Sequence, residues 1–198
     1  MPYKSCAALL AANIAQGCER PIVGGYVGYG ILIPLSAVVL NVVQEATNPR
    51  KIKTFNIERG KLVYVDNVSA TPFTGSSTAG NSDSGYPEFA KTIAMRIPMR
   101  GAKVSRDVIE PLIDDPMGYI GIFPKRDKVG DGSFEVIGFL NPLRGDIASV
   151  TRDENANGGA WSVNMMTKEA WAEVTLVGAD DTYASALEHF EQLVAKTY

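Results

Sequence analysis

The chain has 198 residues, 45% of them hydrophobic and 21% charged, with a formal net charge of −3 and an isoelectric point near 5.3. That length suits one large domain or two small ones, and the charge excludes a global basic field that would attract nucleic acid. Two cysteines and one histidine exclude a disulfide framework and the common zinc patterns, so Cys6 and Cys18 read first as reduced, partly buried thiols, with a single bond between them as the open alternative.

In chain order, Ser5 is placed to cap a short helix to Gln16, with Ala8, Leu9, Ala12 and Ile14 on one apolar side and Gly17 as its stop. No basic region precedes this stretch, so no secretory signal is expected. Gly24, Gly25, Gly28 and Gly30 follow, without the strand, G-x-G-x-x-G and helix order of a dinucleotide site. They read as tight turns and close backbone approach, and Pro34 argues against a central strand there. The longest apolar run, Ile31–Val43, is broken by Pro34, Ser36 and Asn41 and is too short to cross a bilayer.

Three strands are predicted at Ala37–Glu45, Lys51–Glu58 and Leu62–Val68, turning at Asn48-Pro49 and Arg59-Gly60, in an antiparallel meander. Thr71–Tyr86 is almost all Ser, Thr, Gly and Asn, with Phe73 and Tyr86 as its aromatics. It predicts a long loop, either an arm that orders against a neighbouring subunit or a solvated loop without a role. Alternation over Phe89–Arg100 predicts a strand, with Pro98 near its edge. Ser105 is placed to cap a helix to Ile113, which Pro111 keeps short.

Gly118 to Gly178 read as short strands joined by polar turns: Tyr119–Phe123, Phe134–Leu140, Ile147–Arg152, Trp161–Met166 and Val174–Val177. Lys128–Gly132 is the expected hairpin loop between the first two. A last helix starts at Asp181 or Thr182 and runs to about Lys196, with Tyr183, Leu187, Phe190 and Val194 near one stripe. No internal repeat is visible.

Few residues invite a chemical role. His189 lies on the last helix, where a lone histidine reads as packed or solvated. Ser84, within Asp83-Ser84-Gly85, has the local look of a serine-protease nucleophile but lacks the rest of a triad. Asp114-Asp115 and Asp180-Asp181 read as helix-end acids. Asp153, Glu154, Asn155 and Asn157 make a slightly better oxygen cluster, without the terminal glutamate of an EF-hand loop. Arg144-Gly145-Asp146 sits in a predicted turn, and Asn67-Val68-Ser69 is a glycosylation sequon only in a secreted protein. Trp161 and Trp171, separated by a turn-like Thr-Lys-Glu, read as core or interface anchors. No catalytic, cofactor-binding or metal residue is assigned, and no enzyme is expected.

The overall combination resembles a known family. Its parts are the N-terminal helix with two cysteines, Pro21-Ile-Val-Gly-Gly25 with Ile31-Leu-Ile33, and the Phe73-Thr-Gly75 segment leading to a long strand. The helix near Ser105, the strand Gly132-Ser-Phe-Glu-Val-Ile-Gly138, the Gly145-Asp turn, and the Asn-Gly-Gly turn with Trp161 complete it. This resembles virion structural proteins of tailed phages that infect Bacteroidetes, particularly tail-tube-like and head-to-tail ring proteins. In place of the family's Gly-Leu step stands Asn141-Pro142-Leu143-Arg144.

The resemblance implies an α+β, mainly β chain forming a single structural domain over 1–198. It implies an antiparallel sandwich or small barrel with N-terminal, middle and C-terminal flanking helices. Copies would form a homo-oligomeric ring of six, with edge strands pairing between neighbours around a channel that passes DNA without sequence-specific binding. Its partners would be itself and other virion proteins, with no membrane, in a virion made in the bacterial cytoplasm. Phe73, Thr74, Gly75 and Tyr86 would belong to the arm that meets a neighbouring subunit, and acids such as Asp127, Asp131, Asp153 and Glu154 would suit the lumen. A capsid decoration protein and a tube subunit of a contractile secretion system are structural alternatives. A small-ligand module, with Trp161, Trp171 and the Gly24–Gly30 loop around a pocket, is the alternative from another class.

Overall fold

The structure is a computed structural model that describes residues 24–57, 63–66, 73–97, 101–128, 130–152 and 159–196. The expected helix over Ser5–Gln16, both cysteines, the Asn67 sequon and the Asp153–Asn157 cluster lie outside these residues.

Strands run in chain order as β1 (Tyr29–Pro34), β2 (Val38–Gln44), β3 (Lys51–Ile57), β4 (Val63–Asp66), β5 (Phe73–Asn81) and β6 (Pro87–Ile97). They continue as β7 (Tyr119–Pro124), β8 (Phe134–Ile137), β9 (Arg144–Gly145), β10 (Thr151–Arg152), β11 (Trp161–Glu169) and β12 (Thr175–Leu176). A seven-stranded sheet has the order β2-β3-β12-β8-β7-β1-β4, antiparallel except for the parallel β12–β3 pair. The second sheet, β10-β11-β6-β5 with β9 also beside β11, is antiparallel.

Ile31, Leu32 and Ile33 follow one another in β1, and all have no exposed surface. Successive strand residues point to opposite faces, so three buried in a row require a layer on each side. On one side Leu32 joins Phe73, Ile93, Met95, Phe123 and Val163 in the core between the two sheets. On the other, Ile31 and Ile33 join Phe55, Phe134, Phe190 and Leu193 under the final helix, Tyr183–Val194. The fold is α+β and mainly β, a sandwich with a helix on its outer face. Among the described residues neither sheet closes into a barrel.

Several sequence expectations need correction. Pro34 does not bar a central strand: it is the last residue of β1, which lies between β7 and β4. The meander breaks after β3, because β12 occupies β3's free side through Thr175↔Lys51. Strand β4 instead pairs with β1 near the opposite edge. Thr71–Tyr86 is not a loop: its residues from Phe73 to Asn81 form β5. The strand expected at Phe134–Leu140 stops at Ile137, where Gly138 turns the chain at φ 86°. Within Ile147–Arg152, only Thr151–Arg152 is strand; Ile147–Ser149 is a 3-10 turn capped by Asp146, which accepts the Ala148 N–H at 3.1 Å. The supposed turn Thr167-Lys-Glu is the end of β11.

The middle helix begins at Ala102, not Ser105, and continues through a π-turn, Ser105–Ile109, into Glu110–Asp114. Pro111 explains the irregularity, since its ring in a regular helix would meet the carbonyl four residues earlier. Thr182 caps the final helix by accepting the Ser185 N–H.

Candidate functional site

Strand β6 alternates, with Lys91, Ile93, Met95 and Ile97 turned inward. It carries β5 with it, in unbroken register from Phe73↔Met95 to Asn81↔Pro87. The reversal is closed by the Ser82 N–H to the Tyr86 carbonyl at 2.8 Å and the Gly85 N–H to the Ser82 carbonyl at 2.8 Å. Gly85 adopts φ 78°, which its missing Cβ permits.

Phe73 is buried, whereas every residue from Thr74 to Asn81 is exposed. Antiparallel pairing turns alternate backbone N–H and C=O groups outward, and β5 has no strand on its outer side among the described residues. The other three borders carry interruptions or are short. β2 has register shifts against β3, β4 is four residues long, and the line β9–β10 is broken by the Ile147–Ser149 turn. β5 has nine residues with no proline, no charge and no bulge. Those are the devices that normally keep a border from pairing with another chain.

The four arm residues do not act as one unit. Phe73 stacks into the core with its ring centroid 5.3 Å from that of Phe123. Gly75 lies under the Tyr26 ring, leaving no room for a Cβ. Thr74 is exposed beside them, and Tyr86 stands at the far tip. Sequence reasoning missed the polar cluster at this base. The Tyr26 hydroxyl donates to Glu135 Oε2 at 2.9 Å, and Lys125 Nζ lies 3.4 Å from the same oxygen while also contacting Glu173. Arg126 Nε donates to the Tyr26 carbonyl at 3.1 Å. A cavity of about 340 Å³ opens here, lined by Gly25, Tyr26, Phe73, Thr74, Gly75 and Lys125 among others.

Burial, with Glu135 beside it, raises the Tyr26 hydroxyl well above the ordinary value of 10.0. Burial opposes the charged form of Lys125, but Glu135 and Glu173 outweigh it and hold its pKa up. A raised folded-state pKa contributes stability below the unfolded value and loses it as pH climbs through the folded one. Stability should therefore fall above about pH 10, the ordinary tyrosine range, with Tyr119, pushed up to about 12 by burial, adding to the loss. Tyr26→Phe should cost about 0.5–1.5 kcal/mol near neutrality and flatten that alkaline decline. Urea melts across the pH series test both statements, and an unchanged slope would remove Tyr26 from the account.

Comparison with protein-family models, with curated proteins and with solved structures finds no match for this chain. The reading of the site therefore rests on its own geometry.

A second missed feature lies deeper. Lys91 of β6 and Glu169 of β11 form an ion pair, Nζ–Oε2 2.7 Å, with side chains 1% and 0% exposed. Glu169 Oε1 accepts three successive backbone N–H groups, from Gly138, Phe139 and Leu140, at 3.2, 2.9 and 3.2 Å. This ties the turn after β8 to the sheet that carries β5. A Cβ at Gly138 would lie 2.5 Å from the Tyr119 carbonyl oxygen, at a positive φ of 86°. Gly138→Ala should cost about 1–3 kcal/mol, read as a lower denaturation midpoint; a neutral result would show that the turn relaxes freely.

The other flagged residues have structural employment. His189 Nδ1 is 3.0 Å from the Val177 carbonyl oxygen, an acceptor, so Nδ1 carries the proton. Ser84 is an exposed residue of the β5–β6 turn. Asp115 accepts the Met117 N–H at 2.9 Å, and Asp180 accepts the Thr182 hydroxyl at 2.8 Å. Trp161 packs against the core between the sheets, and Trp171 against the helix-side core, so they do not share a pocket wall. Among the described residues no group of three metal-ligating side chains occurs. No described helix is long and apolar enough to cross a membrane.

Proposed function

We propose that this chain is a structural assembly subunit, one that builds a tail tube or head-to-tail connector ring of a tailed phage by pairing with copies of itself. The observation that carries the proposal is β5: nine regularly paired residues whose outer side is open among the described residues, with none of the usual guards in its own sequence. Strand polarity supports it. Directions alternate across β5, β6, β11 and β10. A copy rotated about an axis to which the strands tilt, as in closed barrels, thus presents its β9–β10 border antiparallel to β5. Such head-to-tail contacts close into a ring when the rotation divides a full turn, six copies being the proposed number, and closure leaves no border free.

The outward face of the second sheet suits a channel wall. Ala90, Thr92 and Ala94 of β6, with Ser162 and Asn164 of β11, are small or neutral and at least partly exposed, and Arg96, Lys168 and Arg144 add cations on the same face. Scattered cations of this kind would touch phosphates without reading base edges, so DNA would pass without sequence-specific contacts. The acids expected for the lumen do not carry this reading: Asp153 and Glu154 lie outside the described residues, and Asp127 follows β7 in the other sheet.

Negative-stain imaging and mass photometry of the purified chain test the proposal. Closed rings or tubes with a central channel are expected. A protein that stays monomeric up to about 100 μM, where contacts of even modest affinity are populated, would overturn it. Compact trimers without a channel would move the reading to a capsid decoration role.

A further inference from the structure

The assembly reading leaves open what, besides backbone pairing, fixes one copy on the next. At the tip of the β5–β6 hairpin, Tyr86 is 74% exposed, the most exposed of the large hydrophobic side chains described. Asp83 and Glu88 flank it, Glu88 engaged by Lys168 of its own chain at 2.9 Å. On the outward face of the same sheet runs a groove of about 520 Å³, lined by Ala90, Thr92, Pro142, Arg144, Met166 and Lys168 among others. Met166 on its floor is 46% exposed. Arg144 is exposed on its rim and has no carboxylate partner among the described residues.

Tip and groove match in chemistry. One is an aromatic ring beside an acid, the other a soft apolar floor beside the exposed Arg144 guanidinium. Methionine sulfur and aromatic rings attract, as do guanidinium and carboxylate. Within one chain the tip's Glu88 reaches Lys168 at the edge of the groove, but the Tyr86 ring stays in solvent. The hairpin belongs to the β5 border and Arg144 to the β9 border, the opposite sides of the sheet. Met166 and Arg144 lie level with Thr92, five residues along the strands from the Pro87 end of the hairpin, about 17 Å. Head-to-tail neighbours bring tip and groove together when the strands tilt to the ring axis and stagger adjacent copies, as in closed barrels.

We infer that the hairpin tip of one copy seats Tyr86 in the Met166 groove of the next, with Asp83 facing that neighbour's Arg144. This inference rests on the proposed self-assembly and names its side-chain lock. The contact is heterologous, each copy giving a tip and receiving one, which is the form a ring requires.

Disulfide trapping tests it. Tyr86→Cys and Met166→Cys proteins, each altered at an exposed position, are mixed and oxidised, and the linkage is identified by peptide mass spectrometry. A mixed 86–166 disulfide is expected only when both are present. Tyr86→Ser should raise the concentration for half-assembly at least tenfold, roughly the effect of one lost anchor contact. Asp83→Arg should do the same, and Asp83→Arg with Arg144→Asp should restore assembly. Wild-type protein that assembles while Tyr86→Ser assembles equally well, with no 86–166 linkage, overturns the lock and leaves the ring reading standing. An 86–86 linkage would show paired tips and also overturn it. Wild-type protein that never assembles removes both.

Discussion

Glu169→Ala is expected to cost about 3–5 kcal/mol of folding stability, the range for breaking one side of a buried ion pair. The substitution strands the Lys91 ammonium, whose side chain is 1% exposed. It also orphans the N–H groups of Gly138, Phe139 and Leu140. Both losses are desolvation penalties, which exceed the net value of the bonds themselves. The double variant Lys91→Met with Glu169→Gln should recover most of the loss, because the amide oxygen still accepts the three N–H groups and methionine fills the aliphatic path of the lysine. Chemical denaturation of the single and double variants reads this directly. A single variant within about 0.5 kcal/mol of wild type, the usual surface range, would show that water reaches the pair and that the carboxylate is no keystone.

Ser76→Lys with Thr78→Lys is expected to abolish ring formation while leaving the monomer intact. Both residues are exposed and neither is covered by the core, so the change in monomer stability should stay within about 0.5 kcal/mol. The two added charges supply the guard that β5 lacks, since a joining strand would have to desolvate them. Each joint should weaken at least tenfold, about 1.4 kcal/mol, and the loss multiplies over the joints of a ring, so at a concentration where wild type is fully assembled rings should disappear. Mass photometry beside a thermal melt separates the two effects. Rings that persist with both lysines in place would show that β5 is not the joint.

The sequence marks strands well wherever apolar residues alternate or cluster. β3, β6, β7, β11 and the final helix are legible from Ile52-Phe55-Ile57, from Ile93-Met95-Ile97, and from the stripe through Phe190. β5 is not legible, because FTGSSTAGN has low strand preference and its pairing is imposed by β6 across the turn. The placement of β4 beside β1 escapes local reading for a similar reason: the competition for β3 is decided by β12, far along the chain. The buried pair did leave a trace. Lys91 has the parity of Ile93 and Met95, and Glu169 that of Val163 and Met165. A charge at a core position in each of two amphipathic strands points to a partnership across the sheet. The Tyr26, Glu135 and Lys125 cluster left none, since its members come from three separate segments.

The order in which these pieces are synthesised has a consequence for how the protein is produced. The β5–β6 hairpin is local and can zip as soon as it leaves the ribosome, whereas the seven-stranded sheet must wait for β7 to reach β1 and for β12 to reach β3. Contacts that distant in sequence form slowly. For that interval a nascent chain displays the open border of this hairpin before it owns a finished core. High-level expression should therefore favour tangled multimers over particles, and slower translation or a holding chaperone should raise the yield of correctly formed subunits.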